Sequence, residues 1–379
     1  MMERSLIAMI LVGGKGTRLK SITKETAKPA VSFGAKYRLI DFTLSNLTYS
    51  NIDIIGIITQ YEPYELMAYI GNGGSWDLDT IDGGISFLTP FSKAGDVQWQ
   101  KGTAHAIRQY FNFVYQYHAD HVLILAGDHI YQMDYQAMFQ HHLSTQADLT
   151  IASTDVKLEE ANRFGILSYD DSTKVTAFEE KPEVPSSLHA SMGIYLFKTD
   201  VLAKLLQVTA NEETVDFGKN IIPKALIDAY AVYAYPFKGY WRDVGTLQSL
   251  YDAHMDMIDD PNFLSLNVSK GIQTYSKSMN LPPHIVLEDG VIKQSIIADG
   301  CVIDGTVKHS SIGYQCVVMK NASIEDSVLL PNVFVSENVR LKNVIVNKNV
   351  ILPENYVAIL DHVDVVDTDT MWEVGAIDE

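Results

Sequence analysis

Gly13-Gly14-Lys15-Gly16-Thr17-Arg18 sets three glycines and two cations directly after the apolar run Leu6 to Val12. Glycine is needed where φ turns positive, or where a ligand must approach the backbone more closely than a Cβ allows. Such a loop can wrap its N–H groups around a phosphate while Lys15 and Arg18 close over it. The same pattern also fits a plain tight strand-to-loop connection. Neither the dinucleotide fingerprint G-x-G-x-x-G nor the P-loop G-x-x-x-x-G-K-[ST] occurs here, so a phosphate at this loop is held in another way.

Three more residues could serve the same anion. Lys28 opens the stretch Thr26 to Asn46, TAKPAVSFGAKYRLIDFTLSN, where Lys36, Arg38 and Asp41 also crowd together. Basic residues alternating with apolar ones can form no more than a solvated edge, but a position just past a phosphate loop turns Lys28 toward the loop's ligand. Asp128 ends His121 to Asp128, HVLILAGD, and Asp243 lies in Gly239 to Thr246, GYWRDVGT. Magnesium is a hard cation, usually bound through one or two carboxylates together with substrate phosphates. Asp128 and Asp243 suit it, although each has a structural alternative: Asp128 could turn a loop, and Asp243 could cap a helix starting near Thr246.

The elements that must position these groups follow from the apolar pattern. Leu6 to Val12, Asn51 to Gln60 and His121 to Asp128 read as buried strands. Between the last two, Thr103 to Tyr117 puts Ala104, Ile107, Tyr110, Phe111 and Val114 on one helical face. Strands alternating with amphipathic helices predict an α/β, Rossmann-like domain with a mainly parallel sheet covered on both sides. Ligands of such sheets bind beyond the carboxyl ends of the strands, where Gly13 and Asp128 fall.

The last third changes rhythm. Ile285, Val291, Ile296, Val302, Val307, Ile312, Val318, Ile324, Val328, Val333, Val339, Val344 and Val350 recur every four to six residues with turn residues between. Neither a helix nor an ordinary strand gives this spacing; hexapeptide-type parallel β-helix repeats do, with small aliphatic side chains stacked inward. The expected organisation is a catalytic domain over 1–258, a linker over 259–283 and a β-helix with an acidic end over 284–379. Asp256 to Met279 reads as the connector, and Asp361 to Glu379 as a final strand or a loose tail.

Composition narrows the function. At 379 residues the chain exceeds one usual core, and 47% apolar content argues against disorder. A net charge of −18 disfavours nucleic acids and anionic membranes, since a polyanion is repelled. The longest apolar run near the start, seven residues, is too short for a membrane span or a signal-peptide core. Cys301 and Cys316 are too few for a disulfide framework, and a reducing cytoplasm is expected.

With these residues in view, the chain resembles the bacterial glucose-1-phosphate adenylyltransferases, the ADP-glucose pyrophosphorylases, over nearly its full length. The resemblance rests on ordered motifs: LVGGKGTRL, AKPAV, TQY at Thr59 to Tyr61, WQKGTAHAI at Trp99 to Ile107, LAGDHIYQMDY at Leu125 to Tyr135, RFGI at Arg163 to Ile166, FEEKP at Phe178 to Pro182, ASMGIYLF at Ala190 to Phe197, DFGKNIIP at Asp216 to Pro223, and GYWRDVGT. It implies transfer of the adenylyl group of ATP to α-glucose 1-phosphate, giving ADP-glucose and pyrophosphate for glycogen synthesis, on a nucleotidyltransferase domain followed by a left-handed β-helix. By resemblance, Leu11, Gly13, Gly14, Gln60, Gly102 and Thr103 hold the nucleotide, with Arg18 and Lys28 on its phosphates. Gln100, Gly165, Glu180, Lys181 and Ser191 take glucose 1-phosphate. Asp128 and Asp243 carry Mg²⁺, with Asp128 catalytic. A tetramer, of one chain or mixed with a paralogous subunit, is implied as well.

The chemistry asks for such a set independently. A phosphate monoester oxygen attacks the α-phosphorus of ATP in line with departing pyrophosphate, so catalysis is mostly positioning and charge stabilisation. The sequence also departs from the family: Val12 replaces the usual Ala, Ala126 an often-seen Ser, and Gln100 an aromatic residue after the Trp. Three competing functions stand beside this one. They are a pyrophosphorylase for UDP-, dTDP- or GDP-sugars, a non-catalytic regulatory paralogue, and a hexapeptide acyltransferase using His309.

Overall fold

A computed structural model of the chain describes residues 5–14, 16–90, 92–93, 96–97, 100–210, 212, 214–260, 263 and 272–377. Lys15, Trp99 and the final two residues of the acidic end lie outside the described residues. Leu6–Val12 is a central strand of a mixed nine-stranded sheet among those described. Ile54–Thr59 and His121–Ala126 flank it in parallel, and Gly84–Leu88 lies parallel beyond Ile54–Thr59. The uninterrupted apolar run is explained by burial on both faces. Ile7 and Met9 join a core with Ala104, Ile107 and Val114, whereas Ala8, Ile10 and Val12 join one with Leu44 and Leu47.

Past His121–Ala126 the sheet turns antiparallel. His189–Lys198 pairs antiparallel with His121–Ala126, Leu149–Asp155 and Gly165–Tyr169, and Val175–Glu180 forms a hairpin with Gly165–Tyr169. The helix expected over Thr103 to Tyr117 is two helices, Thr103–Gln109 and Phe111–Gln116. They part at Tyr110, whose φ of −110° and ψ of 17° leave the helical well. Its apolar face is buried all the same.

From Ile285 onward the chain winds into a parallel β-helix in which Ile285 stacks on Val302, then Val317, Phe334 and Ile351. Eight of the expected repeat positions, Val307, Ile312, Val318, Ile324, Val333, Val339, Val344 and Val350, fill its core. Ile285, Val291, Ile296, Val302 and Val328 do not, which corrects the expectation: Ile296 and Val328 turn outward into the core shared with the helix Leu247–Asp259. In Val302-Ile303 the second residue is the fully buried one, and in Val291-Ile292 it is Ile292 that packs on the core. Neighbouring strand residues face opposite sides, and a spacing of five or six does not tell which of two adjacent aliphatics turns inward.

One side of the β-helix docks on the helix Leu247–Asp259, where Val328 and Ile345 share a core with Leu250 and His254 Nδ1 lies 3.0 Å from Ser311 Oγ. The expected connector falls partly outside the described residues. Its later part is tied down, with Gln132 donating to Thr274 (2.8 Å) and Tyr275 N–H to Ser45 (2.8 Å). The acidic end is folded rather than loose as far as it is described. Tyr356–Val366 is a strand, Ala376–Ile377 pairs against its start, and the buried Tyr356 hydroxyl donates to Met371 O at 2.7 Å.

Candidate active site

The register of the parallel strands sets the site. Val12 pairs with Thr59 and Leu11 with Ala126, so Gly13, Gln60 and Gly127-Asp128 emerge together at the carboxyl ends. Asp243 arrives from far along the chain through a separate ribbon, Trp241–Asp243 antiparallel to His129–Tyr131, in which Asp243 pairs with His129. Thr246, and not Asp243, caps the following helix, its side chain accepting from Ser249 N–H. The capping alternative for Asp243 therefore fails.

Lys28 joins the two carboxylates. Its Nζ lies 2.8 Å from Asp128 Oδ2 and 2.9 Å from Asp243 Oδ1, and its side chain is nearly buried. Burial draws the Lys28 ammonium down, but the two carboxylates outweigh it and hold it above the ordinary lysine value. Burial likewise pushes Asp243 up, while the Lys28 ammonium, the His129 ring and Arg163 prevail and hold its carboxyl below the usual range. The other charged residues around Lys28 in sequence do different work. Arg38 pairs with Glu65 at 2.8 Å, and the buried Asp41 accepts from Arg38 N–H and the Tyr69 hydroxyl, fixing the start of the helix Leu39–Tyr49.

One ligand atom each of Asp128, His129 and Asp243 lie within 4.8 Å of one another. Two carboxylates supply the hard oxygens that a divalent cation of the magnesium type prefers. The residues present therefore fit a divalent metal.

Beside this cluster lies a cleft of about 540 Å³ lined by Leu11, Gly13, Gly14, Gln60, Gln100, Gly102, Thr103, Asp128, Glu180 and Lys181 among the expected residues. A Cβ on Gly14 would meet nothing within 4 Å, so the loop opens into space there. A Cβ on Gly13 would come within 3.3 Å of the side-chain oxygens of Gln60 and Gln100. These two glutamines bind each other's surroundings: Gln60 Nε2 donates to Gln100 O, and Gln100 Nε2 to Thr59 O, both at 3.2 Å. Gln100 is thus seated beside Gln60. Gly102 has φ of +107°, and a Cβ there would lie 2.5 Å from Val215 O, so only glycine fits. Thr103 follows, donating through both its N–H (2.8 Å) and its hydroxyl (3.0 Å) to Asp216 Oδ1.

Lys181 is exposed, with a left-handed φ of +51°, and its Nζ lies 3.5 Å from Glu180 Oε1. Gly165 faces Glu180 across the hairpin. Five expected residues, Gly165 among them, stand behind or beside the lining. Ser191 is buried with its hydroxyl 3.5 Å from the Tyr195 hydroxyl, which does belong to the wall. Lys28 and Asp243 reach the cleft through Asp128, and the exposed Arg18 guanidinium lies against Gly245, close to Asp243.

Sequence reasoning missed His129, Arg163 and Asp216 to Lys219. His129 follows Asp128 directly, and only the ribbon register reveals that it also faces Asp243. Arg163 opens RFGI, and its Nη2 lies 3.9 Å from Asp243 Oδ2. Asp216, Phe217, Gly218 and Lys219 line the cleft and were visible only as part of the DFGKNIIP motif. His309 has Nδ1 2.7 Å from Asp326 and Nε2 3.0 Å from Asp259. Both nitrogens are engaged, which removes the basis for an acyltransferase histidine.

Comparison with known proteins agrees with this geometry. The nucleotidyl transferase family model matches residues 7–260, and the GlmU-like C-terminal hexapeptide model matches residues 284–369, the β-helix being left-handed. The chain is 45% identical over 331 residues to the glucose-1-phosphate adenylyltransferase of Bacillus cytotoxicus, covering 87% of this chain and 88% of that protein. It is 46% identical over the same shares to the enzymes so named from Bacillus thuringiensis and Bacillus anthracis. On this identity and coverage, the chain belongs to the glucose-1-phosphate adenylyltransferase family of nucleotidyltransferases.

Proposed function

We propose that the chain transfers the adenylyl group of ATP to α-glucose 1-phosphate, releasing pyrophosphate and giving ADP-glucose for glycogen synthesis. The observation that carries this is Lys28 seated between Asp128 and Asp243 beside an open glycine loop, at the shared carboxyl end of parallel strands. In this reading the N–H groups of Gly13 and Gly14 cradle the ATP phosphates, Arg18 and Lys28 offset the charge of the departing pyrophosphate, and Gln60, Gly102 and Thr103 flank the base and ribose. Lys181 binds the phosphate of the sugar and Glu180 its hydroxyls, across the cleft from the nucleotide. Gly165 leaves Glu180 room, Ser191 supports the wall, and Gln100 meets the sugar phosphate from the side of Gln60. The chain's work is to hold two anions in line and exclude water, so no protein nucleophile is required.

Asp128 and Asp243 would hold Mg²⁺, with His129 at hand. Bound there, the ion supplies Lewis-acid polarisation and charge neutralisation. Assembly as a tetramer of this chain, or with a paralogous subunit, belongs to the same proposal, as does a cytoplasmic setting, which suits the two unpaired cysteines. The domain limits that go with it are 1–258 and 284–379. Among the described residues, no helix is long and apolar enough to cross a membrane.

The test is pyrophosphate release by the purified chain from ATP, UTP, dTTP and GTP, each with glucose 1-phosphate. Turnover with ATP alone is expected. Preference for another nucleotide would move the assignment to a different sugar-nucleotide synthesis, and no turnover with any would point to a regulatory subunit.

A further inference from the structure

Cys301 and Cys316 are the only cysteines of the sequence, and the β-helix stacks one on the other. Val302 pairs in register with Val317, and Val302 N–H donates to Cys316 O at 3.0 Å. The residues just before them therefore occupy the same corner of consecutive coils. Side chains alternate along each strand, so both cysteines turn inward with the fully buried Ile303 and Val318, and both are themselves buried. Stacked positions lie about 4.8 Å apart, inside the Cα window of about 4.4–6.8 Å that a disulfide accepts. The two are free thiols in contact: Cys316 S–H donates to Cys301 Sγ. Cys301 Sγ also lies 3.0 Å from Gly313 O, and Cys316 Sγ 3.3 Å from Leu330 O.

The pair is unequal. The hydrogen bond from Cys316 holds the Cys301 thiol below the ordinary thiol value, whereas burial pushes Cys316 well above it. Cys301 is thus the nucleophile of the two, with a proton donor beside it. It is also the nearer to the end of the β-helix. The coil stacked above it begins at Ile285, and Ile285, Val286 and Leu287 are 55%, 44% and 44% exposed. Terminal segments with few buried contacts open most readily, and hydrogen peroxide is hardly larger than water. We propose that Cys301 and Cys316 form a reversible oxidation site, at which hydrogen peroxide joins the two stacked thiols as a disulfide across consecutive coils. Cys301 Sγ attacks one peroxide oxygen, the O–O bond breaks, and the thiol proton leaves with the departing hydroxide as water, giving a sulfenic acid. Cys316 Sγ then attacks Cys301 Sγ. The S–O bond breaks, and the Cys316 proton leaves with that hydroxide as a second water. Two thiols are oxidised and one peroxide is reduced. A dithiol reverses the bond by exchange, and a transient disulfide of this kind is the usual form in a reducing compartment. The closed segment carries Ser311, which meets His254, and Tyr314, whose hydroxyl donates to Lys36 O at 3.2 Å. The cross-link therefore falls where the β-helix meets the catalytic domain.

Lys308 lies between the two cysteines, so trypsin puts them on separate peptides. The folded, full-length chain is treated with hydrogen peroxide, quenched with catalase, alkylated in denaturant and digested without reductant. The peptides carrying Cys301 and Cys316 should then appear joined, two hydrogens lighter than their sum, and dithiothreitol added before alkylation should separate them. Cys316→Ala should stop the reaction at a Cys301 sulfenic acid that dimedone captures. Cys301→Ala should leave Cys316 a free thiol at the same peroxide dose. Thermal melts confirm that each variant folds, and the unmodified chain's peptide map decides the matter if one does not. Two free thiols after peroxide, or cysteines joined only between chains, would overturn the site. A sulfenic acid formed on Cys316 in the Cys301→Ala variant would overturn the order of the steps.

Discussion

His129 and Asp243 face each other across an antiparallel ribbon, with His129 Nε2 3.7 Å from Asp243 Oδ1. The strand end at Asp128 is part of the same turn, so this pairing sets how far apart the carboxylates of Asp128 and Asp243 stand. Lys28 bridges that gap. A site assembled this way is sensitive to either carboxylate and insensitive to the rest of the core.

Asp128→Asn should therefore lower kcat by about 10²–10³, the usual effect of removing one preorganised charge-stabilising group, with little change in melting temperature. Asp128 is partly exposed and belongs to none of the apolar cores. Measuring kcat and melting temperature on the same preparation checks both halves. Near-normal turnover would refute its place at the reacting phosphates.

Lys181→Ala should raise KM for glucose 1-phosphate much more than KM for ATP. Lys181 stands on the hairpin side of the cleft beside Glu180, whereas the glycine loop and Gln60 belong to the parallel strands. Steady-state kinetics with each substrate varied in turn will show the split. Equal effects on both constants would sink the assignment.

These two residues also show what was legible in the sequence. Gly13, Lys28, Asp128 and Lys181 sit in local motifs, at strand ends or beside a proline, where residue type and position already state a role. Asp243 was read as a second metal carboxylate beside Asp128 on its residue type and the resemblance, but the ribbon register that brings the two together is encoded in no local pattern. His129 and Arg163 were missed for the same reason. In the β-helix the repeat was plain, but whether Val302 or Ile303 turns inward depends on the start of each coil. The antiparallel strand His189–Lys198, inserted between parallel ones, has an apolar pattern that fits either direction.

His309→Gln should destabilise the protein in a pH-dependent way. Burial draws the His309 ring down, but its hydrogen bonds to Asp326 and Asp259 outweigh this and raise it above the ordinary histidine value. Lys342 Nζ, 3.7 Å from Asp326 Oδ2, is the nearest competing cation. A raised folded value means that the stabilisation is fully present below the unfolded value of about 6.5 and is lost as pH rises through the folded one. The melting-temperature gap between the unmodified chain and the variant should be wide at pH 6 and narrow at pH 9. A gap independent of pH would show that the ring acts by packing alone.

The last prediction concerns control by sugar bisphosphates. The family resemblance implies that members activated by such compounds typically carry basic residues just before AKPAV, as suits an effector needing several cationic contacts. Here that span is Lys24-Glu25-Thr26-Ala27, and its surroundings add more acids than cations. Lys24 Nζ lies 3.3 Å from Asp369 and Lys20 Nζ 2.6 Å from Asp364, while Lys348 Nζ binds Glu65 at 2.8 Å and Thr26 at 2.7 Å. Every one of these cations faces a carboxylate of the chain itself. Glu25 beside an anion would cost about 1 kcal/mol at 4 Å in water, and more where solvent is excluded. Activation by fructose 1,6-bisphosphate should accordingly be weak or absent. Initial rates at subsaturating ATP, with and without the bisphosphate, test this for the unmodified chain and for Glu25→Lys. The exposed Lys24–Asp369 pair contributes little on its own, so Asp369→Asn should add a smaller response than Glu25→Lys. Strong activation of the unmodified chain purified alone would defeat the prediction, and activation gained only on charge reversal would bear it out.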